Sequence, residues 1–265
     1  FLKRPQFGAP GCMNYDDIGV SEINLRISDI QTRPKKGVTA IIHSLSAKEK
    51  GGLDLKNLSA EFSLDKDATT FTNLTLQENY SEVKAKKLIF SYDSGKDLKY
   101  YVQKIKMDAD FVNTYLNFNT IGLFSPNMQN NNLSLYLNGR VYGPVVHLQS
   151  SLLKVCTPSM KTSVTLAFSM KGLPSIEKTV FDAHILDLQS ESMEIDQILG
   201  HFSKKEKPIL TPLVPDAKFK FQGNMLGTLF DFKADGTLNS TVGDIVFDVA
   251  LNSPGFNKGM KASGD

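Results

Sequence analysis

Hydrophobic and polar residues alternate along most of the chain, in short runs that turn residues separate. The pattern is clearest at 135–171, and 219–255 looks like a second copy of it, 84 residues further on. Each copy opens and closes on an alternating run. Because side chains on a strand point alternately to opposite faces, each copy predicts a sheet with one apolar face and one polar face.

The same alternation predicts strands over most of the remaining chain. The predicted strands lie at 20–27, 38–45, 53–64, 71–77, 81–92, 100–111, 132–142, 145–154, 162–170 and 177–188. Residues 46–52 are typical of a turn or a single helical turn that glycines end. Two glycine pairs, Gly139/Gly143 and Gly223/Gly227, are interpreted as turn glycines between paired strands. The sequence therefore predicts a mainly β chain with a largely antiparallel sheet.

One or two short helices interrupt this pattern. A change to helical spacing predicts a small helix or capping loop within 114–128. The best helix candidate is 192–205, which Ser192 can cap at its N-terminus. The apolar stripe of this helix consists of Ile195, Ile198, Leu199 and Phe202.

Breaks in the alternation divide the chain into segments. The predicted segments are an irregular lead-in (1–17), a first β segment (18–128), a second β segment that is repeat copy 1 (129–190), a helix with a Pro-rich linker (191–216), a third β segment that is repeat copy 2 (217–256) and a tail (257–265). The chain begins at Phe1 and stops directly after a strand pattern, so we expect it to be a piece of a longer protein.

Composition excludes several classes of protein. With 30 basic and 28 acidic residues the formal net charge is +2, so we expect no nucleic-acid partner. The chain has two cysteines, Cys12 and Cys156, which are too few for a disulfide framework. No run of 18 or more apolar residues occurs, so no membrane span is predicted within the chain.

A search for catalytic chemistry finds no convincing motif. The four histidines are not spaced as metal ligands and none is near a cysteine. There is no Gly-x-Ser-x-Gly motif, no phosphate-binding loop and no dinucleotide fingerprint. We therefore expect a protein without enzymatic activity, with no catalytic residue, no cofactor and no metal.

An ordered series of short motifs resembles the TamB-like proteins of Bacteroidetes, which are members of the AsmA-like superfamily. The motifs are Asp-Ile-Gln-Thr-Arg-Pro at 29–34, the run 40–55, Asn-Leu-Ser-Ala-Glu-Phe-Ser-Leu at 57–64, Asn-Leu-Thr-Leu at 73–76, the run 88–94, Gly-Leu-Pro at 172–174, Thr-Val-Phe-Asp at 179–182 and the Gly-x-x-x-Gly repeats. The resemblance extends over about residues 18–255 and implies an internal periplasmic segment of an inner-membrane-anchored cell-envelope protein. The membrane anchor would lie outside this chain.

The resemblance also implies an architecture and a function. The expected fold is a β-taco, a long curled sheet whose apolar face lines a groove. Proteins of this family are translocation and assembly modules, linked to phospholipid transport between the inner and outer membranes and to outer-membrane biogenesis with a partner of the BamA or TamA type. Phospholipid is therefore the expected ligand.

One face of each strand supplies the residues predicted to line a lipid groove. They are Leu135, Leu137, Val146, Leu148, Leu166, Phe168, Phe181, Ile185, Phe219, Phe221, Phe230, Phe232, Phe247 and Val249. A bulge or a one-residue shift in register would turn the set of any strand outward. The alternation by itself favours a β-sandwich core or other closed β-structure over an open groove, and the resemblance reverses that preference.

A second hypothesis assigns the chain to a different class of protein. In this hypothesis it is a β-rich scaffold or chaperone-like module for outer-membrane protein assembly, which acts by pairing strands at the edge of its sheet. Charged substitutions on the apolar face would block a lipid conduit, whereas a scaffold would tolerate them and would fail with prolines at its edge.

Overall fold

The computed structural model describes residues 11–14, 17–33, 37–125, 128–175, 178–202, 208–228, 231–252 and 261–264. Within these residues the chain forms fourteen strands and three α-helices. Two compact units are present, unit 1 at 1–145 and unit 2 at 146–265. The lead-in is described only from Gly11 onward, and Phe230 of the predicted groove set lies outside the described residues.

Unit 1 is an antiparallel ladder in which each strand pairs with the one before it in the chain. Its strands are β1 (Val20–Arg33), β2 (Gly37–Glu49), β3 (Asp54–Leu64), β4 (Ala68–Gln77), β5 (Glu82–Ser91), β6 (Lys106–Asn117) and β7 (Ser134–Pro144). A short 3-10 helix (Gly95–Tyr100) and α1 (Tyr101–Lys104) connect β5 to β6, and α2 (Phe118–Gly122) follows β6.

Unit 2 is built in the same way. Its elements are β8 (His147–Cys156), β9 (Ser163–Lys171), β10 (Val180–Glu191), α3 (Ser192–Phe202), β11 (Lys218–Gly227), β12 (Asp231–Ser240), β13 (Gly243–Asn252) and β14 (Lys261–Gly264). β11 begins 84 positions after β7, and β12 begins 84 positions after β8. The predicted fold class, a mainly β chain with antiparallel sheet and short helices, is confirmed.

Bulges interrupt the register near the middle of several strands. β8 has one extra residue between Ser150 and Leu153 relative to its partner β9. β10 likewise has one extra residue between Ile185 and Leu188 relative to its partner β11. Asn113 occupies the bulge of β6 with a positive φ of 46°. A bulge bends its strand, increases the local twist and changes which side chains face the core. Repeated bulges therefore curl an otherwise flat ladder.

One face of unit 1 forms a packed core. The buried side chains of this core are Ile42, Leu58, Ala60, Leu74 and Ala85, with Leu45, Leu55, Phe62, Phe71, Leu76, Leu88 and Phe111 partly buried against them. Leu74 lies directly opposite Ala85, and each is only 3% exposed. The rings of Phe62 and Phe71 are 5.5 Å apart on neighbouring strands. Small residues on the floor of the face are thus covered by larger side chains beside them.

The predicted strand at 100–111 begins later than expected. Ser94 and Asp97 form a capping box, in which the Asp97 carboxylate accepts from the backbone N–H of Ser94 at 2.9 Å. The Lys104 ammonium donates to the same carboxylate at 2.7 Å. These contacts stabilise two short helical turns, so β6 begins only at Lys106.

The prediction of a turn at 46–52 is wrong over its first half. Ala47 pairs with Leu55 and Lys48 with Asp54, so β2 continues to Glu49. Only the segment that contains Gly51 and Gly52 turns. Lys48 and Glu49 therefore lie in a paired strand.

The two glycine pairs are also not turn glycines. Gly139 lies within β7 and Gly223 within β11, so both are strand residues. Gly139 has a φ of 130°, which other residues rarely adopt. A Cβ on Gly223 would lie 2.0 Å from the carbonyl oxygen of Asp235, so the neighbouring strand leaves no room for a side chain. Close strand approach, rather than a turn, explains these glycines.

Substitution of the most buried leucine tests the core of unit 1. We expect Leu74→Ala to lower the free energy of unfolding by about 2–4 kcal/mol, because it leaves a cavity at a side chain that packs on all sides. Leu64→Ala is the control, since Leu64 is 40% exposed on the same face, and it should cost less than about 1 kcal/mol. Urea denaturation followed by circular dichroism measures both losses. Equal losses would contradict a packed core at Leu74.

Candidate functional site

The register of unit 2 places apolar side chains from six successive strands on one face. Residues directly opposite each other across an antiparallel pair share a face. Leu166 lies opposite Ile185, Ile185 opposite Gly223, and Gly236 opposite Phe247. Following these pairs from β8 to β13 defines the unit 2 apolar face. Its larger members are Leu148, Leu153, Val155, Val164, Leu166, Phe168, Met170, Phe181, Ile185, Leu188, Phe219, Phe221, Met225, Phe232, Leu238, Ile245, Phe247, Val249 and Leu251.

Ten of the predicted groove residues lie on this face. They are Leu148, Leu166, Phe168, Phe181, Ile185, Phe219, Phe221, Phe232, Phe247 and Val249. Leu135 and Leu137 lie instead in β7 of unit 1, opposite Leu116 and Thr114. Val146 precedes β8 and is not part of a strand, although its carbonyl accepts from the backbone N–H of Gly172.

Several residues of the face are missing from the predicted set because bulges change the alternation. Leu153 follows the bulge of β8, and Leu188 follows the bulge of β10. The sequence carries a signal for both bulges, since two apolar residues stand side by side at Leu152–Leu153 and at Ile185–Leu186. Leu152, at the bulge itself, is exposed, while Leu153 is buried. Adjacent apolar residues inside an alternating run thus mark the position of a bulge.

The opposite face of unit 2 is polar and hydrogen-bonded. His184 Nδ1 lies 2.7 Å from Asn224 Oδ1, and Asn224 Nδ2 donates to Asp235 Oδ2 at 2.9 Å. Elsewhere on this face His147 Nε2 lies 2.9 Å from the Ser169 hydroxyl. These histidines therefore bond to neighbouring side chains across the strands. The sheet of unit 2 is amphipathic, with its polar groups satisfied on one side.

The unit 2 apolar face lacks the burial of a closed core. Its most buried members are mainly small, such as Ser150, Ala183 and Ala234, whereas its phenylalanines remain half-buried. Ile245 is 57% exposed. Among the described residues, no apolar side chain larger than alanine falls below 2% exposure. A second layer packed on this face would bury its phenylalanines fully, so the described residues favour an open face over a β-sandwich.

Helix α3 begins directly after β10, and side-chain contacts fix its first turn. Ser192 is fully buried, and its hydroxyl donates to the carbonyl of Val214 at 2.5 Å. Ser192 is the first residue of α3, and its hydroxyl holds the segment that leads into β11. Ser159, in the turn between β8 and β9, donates to the Glu194 carboxylate at 2.6 Å. Both contacts fix the start of the helix to the ends of strands.

Asp196 fixes the following segment to the helix. Its carboxylate accepts from the backbone N–H groups of Ile209 at 2.8 Å, Leu210 at 2.9 Å and Thr211 at 2.7 Å, and from the Thr211 hydroxyl at 2.6 Å. Burial alone would raise the pKa of Asp196, but the donors of Leu210 and Thr211 hold that pKa well below its usual range. Asp196 is therefore a structural carboxylate that closes a loop.

The predicted apolar stripe of α3 stays partly uncovered. Leu199 is exposed, while Ile195, Ile198 and Phe202 are half-buried. Among the described strands the helix contacts β10, the strand that precedes it.

Other kinds of site are not found in the described part of the chain. No group of three or more His, Cys, Asp or Glu side chains there is placed to bind a metal. The same residues contain no helix long and apolar enough to cross a membrane. Cys12 and Cys156 are both buried and do not form a disulfide.

Comparison of the chain with protein-family models, with curated proteins and with solved structures gives no match. The unit 2 apolar face is therefore interpreted from its own geometry.

The pH dependence of stability tests the role of Asp196. Because its pKa is lower in the folded chain than in the unfolded one, its stabilising contribution is present above the ordinary value of 3.8 and is lost as the pH falls below that value. We expect Asp196→Asn to unfold at lower temperature than the wild type at pH 7, with the difference shrinking as the pH falls from about 4 to about 2. Thermal unfolding measures this difference.

Asp182→Asn provides the control for this experiment, since Asp182 is exposed on the polar face of β10. Its unfolding temperature should follow that of the wild type at every pH. A destabilisation by Asp196→Asn that is the same at pH 2 and pH 7 would contradict the role assigned to the carboxylate charge.

Proposed function

We propose that this chain is a non-enzymatic segment of a TamB-like bridge between the inner and outer membranes. Its unit 2 apolar face would hold phospholipid acyl chains and support outer-membrane biogenesis. The observation that carries the proposal is the continuity of this face, which extends over β8–β13 without a charged residue and with its phenylalanines half-buried.

The dimensions of the face suit an acyl chain. Six strands at ~4.8 Å spacing extend over roughly 24 Å. The hydrocarbon core of a bilayer is ~30 Å thick, so one layer of acyl chains occupies about 15 Å. Each methylene group that the face removes from water contributes about 0.8 kcal/mol. A chain of ordinary length can therefore lie entirely on the face while its head group remains in water.

The two units differ in how they cover their apolar faces. In unit 1 the curled sheet buries Leu58 and Leu74 among neighbouring side chains. On the face of unit 2 Leu153 is buried, but the described residues form no comparable cluster of buried large side chains. We therefore place acyl-chain binding in unit 2 and assign the face of unit 1 to stability.

The wider setting follows from the resemblance of the motifs. On that basis the chain would lie in the periplasm, as part of an inner-membrane-anchored envelope protein whose membrane anchor would lie outside this chain. The outer-membrane partner would be of the BamA or TamA type. The amphipathic sheet supports this setting, because an uncovered apolar face in an aqueous compartment needs a ligand or a partner to prevent aggregation.

The exposed edge of unit 1 bears on the second candidate function, a scaffold that pairs strands with outer-membrane proteins. In the described pairings β1 bonds only to β2, and its apolar residues Ile23 and Leu25 are exposed. Glu22 and Asp29 have positive φ values of 52° and 53° at register shifts in this strand. Bulges of this kind shorten the stretch over which a partner strand could add. The geometry therefore favours lipid binding over edge pairing.

Charged substitutions on the apolar face test the proposal. We expect native mass spectrometry of the chain, purified from a bacterium with two membranes, to show bound phospholipid in about a one-to-one ratio. In the double variant Leu148→Asp/Phe232→Asp the fraction of chains with bound phospholipid should be lower by at least about tenfold, because the acyl chain would desolvate each carboxylate. Lipid extraction identifies the bound species.

A matched control uses apolar residues on the opposite face. Leu226 and Val246 are exposed there, one residue away from face positions on β11 and β13. The variant Leu226→Asp/Val246→Asp should keep its phospholipid. A lipid-free wild type, or equal loss in both double variants, would contradict the conduit. Loss of function with Ile23→Pro in β1, and normal function with Leu148→Asp/Phe232→Asp, would indicate edge pairing instead.

A further inference from the structure

Two glycines create a hollow in the unit 2 apolar face. Gly223 of β11 and Gly236 of β12 are directly opposite each other, so no side chain rises from either position. Both glycines belong to the apolar face, since Gly223 also faces Ile185 and Gly236 also faces Phe247. The sequence therefore opens a gap in the middle of this face, between larger residues.

The ring of Phe221 fills the gap. A Cβ on Gly223 would lie 2.8 Å from Phe221 Cζ, and a Cβ on Gly236 would lie 2.6 Å from Phe221 Cε2. The outer half of the ring therefore rests on both glycines. The ring also stacks on Phe247, with the centroids 5.6 Å apart and the planes inclined by 12°. Phe221 thus reaches from its own position on β11 toward β12 and β13.

The flat ring of Phe221 thus occupies the hollow over the two glycines, where an apolar ligand could otherwise bind. Gly236 has a φ of 156°, and a Cβ there would also lie 2.2 Å from the carbonyl of Gln222. The backbone therefore excludes a permanent side chain at the floor of the hollow. A ring that enters from two residues away can leave by rotation about its own side-chain bonds, whereas a residue built into the floor could not.

We propose that Phe221 is a displaceable plug that competes with an acyl chain for the hollow over Gly223 and Gly236. This inference rests on the proposed lipid-binding function of the same face. When the hollow is empty, the ring covers the glycines and stacks on Phe247. When phospholipid binds, the ring turns away and the acyl chain contacts the glycine floor. The ligand must bind the minor, open state, which lowers its apparent affinity by the fraction of time that the hollow is open.

A plug and an ordinary contact residue predict opposite effects of truncation. If Phe221 only contributed contact area, Phe221→Ala would weaken phospholipid binding, because apolar surface is lost. If Phe221 is a plug, Phe221→Ala removes the competitor and should tighten binding by about tenfold, as expected when a mostly closed site becomes open. The sign of the change therefore separates the two roles.

The experiment is a native mass spectrometry titration of the delipidated chain with palmitoyl-oleoyl phosphatidylethanolamine. Phe219→Ala is the matched control, because Phe219 lies on the same strand and the same face but is opposite Ser190 and Ser240 and not over the glycines. We expect Phe221→Ala to bind about tenfold more tightly than the wild type and Phe219→Ala to bind equally or more weakly. Phe221→Leu, which cannot reach Gly236, replaces Phe221→Ala if that variant fails to fold.

The outcomes distinguish the plug from the proposed function. Tighter binding by the Phe221 variants, with thermal unfolding that still shows a cooperative transition, supports the plug. Phospholipid binding by the wild type that is unchanged or weakened in the Phe221 variants overturns the plug and leaves the proposed function standing. Absence of binding by the wild type and by every variant overturns both.

Discussion

The fold depends on one constraint: each unit must shield the apolar face of a ladder in which every strand pairs with its predecessor. An amphipathic sheet normally buries its apolar face against a second layer. In unit 1, bulges and alternation of small and large residues let the sheet cover itself around Leu58, Ala60 and Leu74. In unit 2 the same arrangement is incomplete, because small residues such as Ala183 and Ala234 are buried while the described residues form no comparable cluster of buried leucines.

The difference between the units connects stability with function. A face that covers itself has no need of a ligand, and its core leucines contribute to the free energy of folding. A face that remains partly open keeps apolar surface in contact with water, which favours any ligand that removes it. Phe221 over its glycine floor is an intermediate arrangement, since the protein covers part of the open face with a side chain that can move away. Ser192 and Asp196 fix the helix α3 to the segment that precedes β11.

Much of the fold could be predicted from alternation, because the period of two is a direct consequence of strand geometry. The strand positions, the repeat and the shared face of Leu166, Phe232 and Phe247 follow from it. Alternation could not locate Leu153 and Leu188, because each follows a bulge that shifts the period by one residue. It also could not assign the glycines of β11, since a glycine that permits close strand approach and a turn glycine have the same identity in the sequence. The aromatic plug depends on ring orientation, which no sequence pattern specifies.

The most direct test of the central claim uses the absence of tryptophan from the chain. Phe232→Trp places a single fluorophore on the unit 2 apolar face, and Lys233→Trp places it one residue away on the polar face. Fluorescence is then measured during titration with a phosphatidylcholine that carries bromine atoms on its acyl chains. If acyl chains lie on the apolar face, Phe232→Trp is quenched and Lys233→Trp is not. Equal quenching of both variants, or quenching of neither, would contradict an acyl-chain site on this face.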